Sequence, residues 1–139
     1  KMKKSIFILS ILVLFSCEEE GILTKNVEQV PVDEELAVLK YSGTFETTSG
    51  ISGEGKTKIF LEGNQYKLIL EDYSIENGPD LKVYLSKSNS PDDFVNLGNL
   101  NPAAIYLIPT SVNMTEYPFV LIHCQQYNHL FAIAQLVQN

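Results

Sequence analysis

The residues best suited to chemistry gather in one stretch, YPFVLIHCQQYNHLFAIAQL, from Tyr117 to Leu136. It holds Cys124 and both histidines of the chain, His123 and His129. The thiolate is the nucleophilic and metal-binding form of cysteine, and a protonated imidazole beside a thiol lowers its pKa. Strand alternation in FVLIHC places Val120, Ile122 and Cys124 on one face and Phe119, Leu121 and His123 on the other. If QQYN is a hairpin loop, Cys124 lies directly across from His129, near enough for a sulfur–imidazole contact. A one-residue slip would abolish that pairing. Cys124 can therefore be read as a redox thiol with His129 as its partner, as a metal ligand, or as a small buried hydrophobe, the usual state of a free cysteine. One thiol and one imidazole fall short of the four ligands of a structural zinc site, which makes metal binding the minor reading.

Other chemistries find less support. Glu71-Asp72, Glu76, Asp80 and Asp92-Asp93 cluster near expected turns. Calcium needs six to eight oxygen ligands in a compact loop, and no stretch has EF-hand spacing. Asp80 reads more simply as a turn residue whose carboxylate accepts hydrogen bonds from nearby backbone N–H groups. No pair of carboxylates is singled out for glycoside hydrolysis. There is no Gly-x-Ser-x-Gly elbow, and a Cys/His pair would have only Asn128 nearby to orient it. No glycine-rich phosphate loop precedes a helix, so no nucleotide cofactor is implied, and no other cofactor is. The residues favour a non-enzymatic module over an enzyme.

The second cysteine belongs to a different kind of site. The chain begins KMKKSIFILSILVLFSCEEE, a basic stretch followed by an apolar run from Ile6 to Phe15 and then Ser16-Cys17. Residues 1–16 read as a signal peptide, because the apolar run is shorter than the roughly 20 residues that span a bilayer. Leu14-Phe15-Ser16-Cys17 resembles the bacterial lipobox, in which the cysteine thiol receives a diacylglyceryl group and becomes the new N-terminus. Cys17 is accordingly the expected lipidation site, a target for palmitate. Its acyl chains would meet the roughly two membrane signals that stable anchoring takes. Glu18-Glu19-Glu20 reads either as the start of a solvated linker or as a surface-export signal of Gram-negative bacteria. The expected location is the cell envelope of such a bacterium, lipid-anchored at the outer membrane, with display at the cell surface as the sharper form.

Residues 17–139 carry seven lysines, no arginine and all seventeen acidic residues, a formal charge of −10. That balance excludes nucleic acid as a partner. The expected partners are the membrane, through the lipid, and envelope proteins or a redox partner. Residues 17–36 form the lipidated cysteine and a polar linker containing Pro31, without sustained periodicity.

The elements that must position Cys124 and the histidines lie in residues 37–139, where short β-like runs alternate with turn residues. VLKYSGTFETT, KTKIFLE, QYKLILEDY, LKVYLS, the run Val95 to Leu100, AAIYLIP, FVLIHC and HLFAIAQLV are the candidate strands. Gly63-Asn64 supplies a hairpin turn between the second and third. Ile59 and Leu61 share one face, as do Tyr66, Leu68 and Leu70, the mark of half-buried strands. Gly78-Pro79-Asp80 interrupts the ladder, since proline lacks the donor. About eight short strands with no long amphipathic helix predict an all-β, antiparallel β-sandwich.

Several residues in this order are also familiar. Gly78-Pro79-Asp80-Leu81 with Val83-Tyr84-Leu85 comes first, followed by Leu97-Gly98 with Leu100 and then Tyr106 with Pro109. Val120, Ile122, Cys124, Phe131, Ala134 and Leu136 complete the series. Together they resemble the electron transfer DM-thirteen domain over about residues 40–138. The motif residues Gly78, Pro79, Asp80 and Tyr84 and the cysteine strand are the most specific parts. The resemblance implies an extracytoplasmic β-sandwich, found alone in bacterial secreted proteins and lipoproteins, and beside DOMON and cytochrome domains in eukaryotes. It also implies that Cys124 matches a cysteine proposed for redox chemistry. Two function classes follow. The first expectation is an accessory or binding module of the envelope. The alternative is a redox or electron-transfer component using the Cys124 thiol with an external partner, because no second cysteine remains in the domain to resolve it.

Overall fold

A computed structural model of the chain describes residues 36–139. The expected signal peptide, the expected lipidation site Cys17 and nearly all of the expected linker lie outside the described residues. Nine strands follow in order: β1 (Ala37–Thr47), β2 (Lys56–Glu62), β3 (Gln65–Glu71), β4 (Leu81–Ser86), β5 (Phe94–Asn99), β6 (Tyr106–Leu107), β7 (Phe119–Cys124), β8 (His129–Gln135) and β9 (Val137–Gln138). One 3-10 turn, Met114–Glu116, is the only helical element among the described residues.

All strand pairs are antiparallel, as expected. The spatial order is β5-β4-β7-β8-β1-β2-β3-β6, with β9 against β1. The two halves of the expected sandwich are thus one continuous sheet folded around one core, and its ends β5 and β6 approach each other so that it nearly closes. Closure of this kind leaves few edge groups unpaired. The hinge between the halves is β1, whose first part pairs with β2 from Ala37 to Thr44 and whose last part pairs with β8 from Phe45 to Thr47.

Alternation in the sequence becomes one buried face. Ile59, Leu68, Leu70, Val83, Leu85, Val120, Ile122, Ala132 and Ala134 share the interior with Cys124. β2 and β3 pair from Lys56 with Glu71 to Glu62 with Gln65, so Gly63-Asn64 is a two-residue turn. Gly63 has φ 64°, the positive value that a II′ turn requires at its first central position and that glycine takes without a Cβ penalty. AAIYLIP contributes only Tyr106 and Leu107 to the sheet; Pro102 precedes it and Pro109 ends it, and proline cannot donate to a ladder. The last segment, with its alanines, is strand and not helix.

Candidate redox site at the Cys124 end of the sheet

Cys124 ends β7, a strand held between β4 on one side and β8 on the other. It lies opposite Leu81 of β4 and opposite His129 of β8. The four residues Gln125 to Asn128 form the connecting loop. Its turn is closed by Asn128 N–H donating to the Gln125 carbonyl at 3.3 Å. Asn128 itself adopts φ 49°, a left-handed conformation that asparagine tolerates. Local turn chemistry therefore sets the register that brings the thiol residue opposite an imidazole.

The two partners differ in environment. Cys124 is 0 % exposed within the core, whereas His129 is exposed at the rim. The His129 ring meets Phe131 edge-on, 5.2 Å between centroids. Phe131 falls where the β7–β8 register shifts, between the Ile122–Ala132 and His123–Leu130 pairs, so β8 bulges there. The displaced backbone is caught by Thr48. Its N–H donates to the Phe131 carbonyl at 2.9 Å and its hydroxyl to the Leu130 carbonyl at 2.6 Å.

The turn before β4 closes this end of the core. A Cβ on Gly78 would lie 3.0 Å from the Phe131 ring and 3.1 Å from Leu81, the residue opposite Cys124. Only glycine lets the turn press this near without displacing them. Gln125 N–H donates to the Asp80 carbonyl at 3.0 Å, tying the same turn to the β7–β8 loop. Gly78 and Asp80 are thus brought to the Cys124 end, and Pro79 lies on the exposed outer side of that turn.

The Asp80 carboxylate faces Lys82 at 3.0 Å, and the Lys82 ammonium also donates to Asn99 Oδ1. A small polar cleft of 240 Å³, lined by Asn77, Gly78, Pro79, Asp80 and Asn99, adjoins this ion pair. The positive charge beside Asp80 is therefore supplied by the chain's own lysine.

Tyr84 and His123 belong to the opposite, outer face. Tyr84 is buried and stacks on Phe94 with centroids 4.0 Å apart, and its ring lies 5.4 Å from that of His123. His123, 4 % exposed, faces away from Cys124, as strand alternation predicts. Burial, and then the charge of His129, lower its pKa, so the imidazole is held neutral. Its Nδ1 is buried without a hydrogen-bond partner. Burial, followed by the charge of Asp80, raises the Tyr84 phenol. Inside the core the Tyr73 phenol is pushed up to about 12, by burial first and then by Tyr106.

Cys124 and His129 are thus cross-strand partners by register, with no hydrogen bond between thiol and imidazole, while Tyr84 is separated from the rest of its motif by the thickness of the sheet. Sequence reasoning missed Phe131 as the lid over Gly78 and Phe94 as the stacking partner of Tyr84. Phe94 could have been found from Pro91-Asp92-Asp93, a turn signal that starts the next strand at Phe94 and places it beside LKVYLS. The bulge at Phe131 left no signal in residue types.

No curated protein and no solved structure matches this chain. A family model described as Electron transfer DM13 matches residues 44–136, about two thirds of the sequence. Its span runs from within β1 to the residue after β8, taking in the Gly78 turn, Cys124 and His129. By that match, the chain belongs to the electron transfer DM13 family.

Proposed function

We propose that this protein is a redox component of the cell envelope, held there by a lipid on Cys17, in which the Cys124 thiol exchanges with an external disulfide. The observation that carries the proposal is the pairing of Cys124 with His129 at the end of β7, within a domain of an electron-transfer family. In the exchange, the thiol proton passes to the exposed His129 imidazole. The Cys124 thiolate then attacks one sulfur of a partner disulfide. That S–S bond breaks, a mixed disulfide forms, and the partner's other sulfur leaves as thiolate. One disulfide is thus exchanged for another: the leaving sulfur is reduced to thiolate and the Cys124 sulfur rises to the disulfide level. External thiol must then attack the mixed disulfide to complete the partner's two-electron reduction and release Cys124.

Access comes from position. Cys124 is the last residue of its strand, beside an exposed loop, and strand ends open locally at far lower cost than the whole domain. The test is the rate of thiol labelling at pH 7 in the native protein, together with capture of a mixed disulfide by glutathione disulfide. Labelling should proceed under conditions that leave the domain folded, and should slow in His129→Ala. Labelling that occurs only with global unfolding would sink the redox reading.

One observation favours a second reading. The 0 % exposure of Cys124 fits an inert packing residue in an accessory or binding module. In that case the thiol reacts only once the domain unfolds, and His129→Ala changes nothing. The family assignment weighs on the redox side.

The anchor rests on Leu14-Phe15-Ser16-Cys17. In a Gram-negative host the chain should incorporate labelled palmitate and fractionate with membranes, and Cys17→Ala should abolish both. Membrane retention of that variant without acyl label would remove the lipid from the proposal.

A further inference from the structure

A groove of 690 Å³ opens on the outer surface where β1 leaves β2 for β8, at the end of β7 and β8 remote from Cys124. Half-buried Phe119 and Ile133 give it an apolar floor, and exposed Glu46, Lys56, Asn89 and Gln135 stand around them. These four polar side chains come from β1, β2, the β4–β5 loop and β8, so they converge only in the folded chain. None of the four has a hydrogen-bond or ion-pair partner among the described residues. The size is that of a small-molecule site, and an apolar floor with a few convergent polar groups is the usual composition of one.

The charges and the backbone narrow the ligand. Lys58, also in the groove, is neutralised by Glu71 at 3.0 Å. Glu46 and Lys56 are left with opposite signs, so the groove has no net charge to offer an anion or a cation. A peptide bound by strand addition needs a free sheet edge. Here β1 is paired on both sides, with β2 on one and with β8 and β9 on the other. What remains is a carboxylate, two carboxamides and an ammonium, supplying donors and acceptors around an apolar floor. Such a set matches an uncharged molecule with many hydroxyls and one apolar face. We propose that this groove binds a neutral oligosaccharide, independently of any redox role of Cys124.

The test is saturation-transfer NMR on the full chain, held in a non-glycosidic detergent, with maltotriose, cellotriose and chitotriose as neutral probes and trigalacturonic acid as the charged one. At least one neutral probe should receive saturation at millimolar concentration and more strongly than the acid. Asn89→Ala combined with Gln135→Ala should weaken it about tenfold, the loss of one or two hydrogen bonds of roughly 1 kcal/mol each. Both side chains are exposed, so folding is preserved, and circular dichroism verifies it. Cys124→Ala should leave sugar binding unchanged. Absence of transfer to all three neutral probes, preference for the acid, or undiminished binding in the double variant would each overturn the proposal.

Discussion

His123 shows how one residue links the site to the stability of the fold. Its ring is buried against Tyr84, its Nδ1 lacks a partner, and its pKa is lowered first by burial and then by His129. In the unfolded chain the same imidazole titrates near its ordinary value, about 6.5. Between that value and its lower folded value, the unfolded state takes up a proton that the folded state refuses. Stability is therefore complete above about pH 6.5 and declines as pH falls through the folded pKa. Carboxylates titrate lower, near 4, and so do not mask the window just below 6.5. Urea midpoints measured down from neutral pH should fall below about pH 6.5. His123→Phe, which keeps an aromatic ring and loses the proton site, should flatten that fall. A wild-type midpoint that holds constant through the window would show that protonated His123 is accommodated. His129, exposed at the rim, enters this slope only as the second cause after burial, through its charge beside His123.

At the scale of elements, β1 stands apart from the other strands among the described residues, since it serves both halves of the sheet. Gly43 sits at the crossover, and a Cβ there would lie 2.8 Å from the Gln135 carbonyl oxygen and 3.3 Å from the Ala134 Cβ. The first of these is backbone and cannot swing aside, so a methyl group must push β8 away from β1. Gly43→Ala should cost about 1–3 kcal/mol, the range for overpacking. A chevron or urea titration reads it directly, and a variant as stable as wild type would mean that the crossover is looser than its geometry. Much of this level was legible in the residues. Period-2 alternation located most strands, Gly63-Asn64 located a hairpin, and the length of QQYN set Cys124 opposite His129. What was not legible depends on contacts distant in sequence. The change of partner along β1, the bulge at Phe131 and the stack of Tyr84 on Phe94 arise from how strands meet, and each residue type involved is ordinary for a strand. The groove is hidden for the same reason, since Asn89 and Lys56 come to line one groove only through the fold of the sheet.

For the whole molecule, the extent of the family match and the extent of the fold differ, and the difference has an energetic consequence. The match covers residues 44–136, whereas the sheet begins at Ala37 and ends at Gln138. The residues before 44 are not ornament. They hold most of the β1–β2 ladder, from the Ala37–Glu62 pair to the Gly43–Thr57 pair, and Tyr41 packs against Tyr66 with centroids 6.3 Å apart. Residues 137 and 138 close on the other side of β1, opposite Ser42 and Tyr41. A chain cut to 44–136 would expose the edge of β2 and uncover one side of Ile59, which is fully buried in the intact sheet. A chain of residues 36–139 should therefore unfold in one cooperative transition with a β-type circular dichroism spectrum. The 44–136 chain should lose at least about 3 kcal/mol, a large share of the 5–15 kcal/mol typical of a domain, and should self-associate through its bared strand. Differential scanning calorimetry and sedimentation of the two chains provide the comparison. Equal midpoints and two monomers would show that the sheet is held by its β4-β7-β8 half alone, with β1 needed only from Phe45 onward.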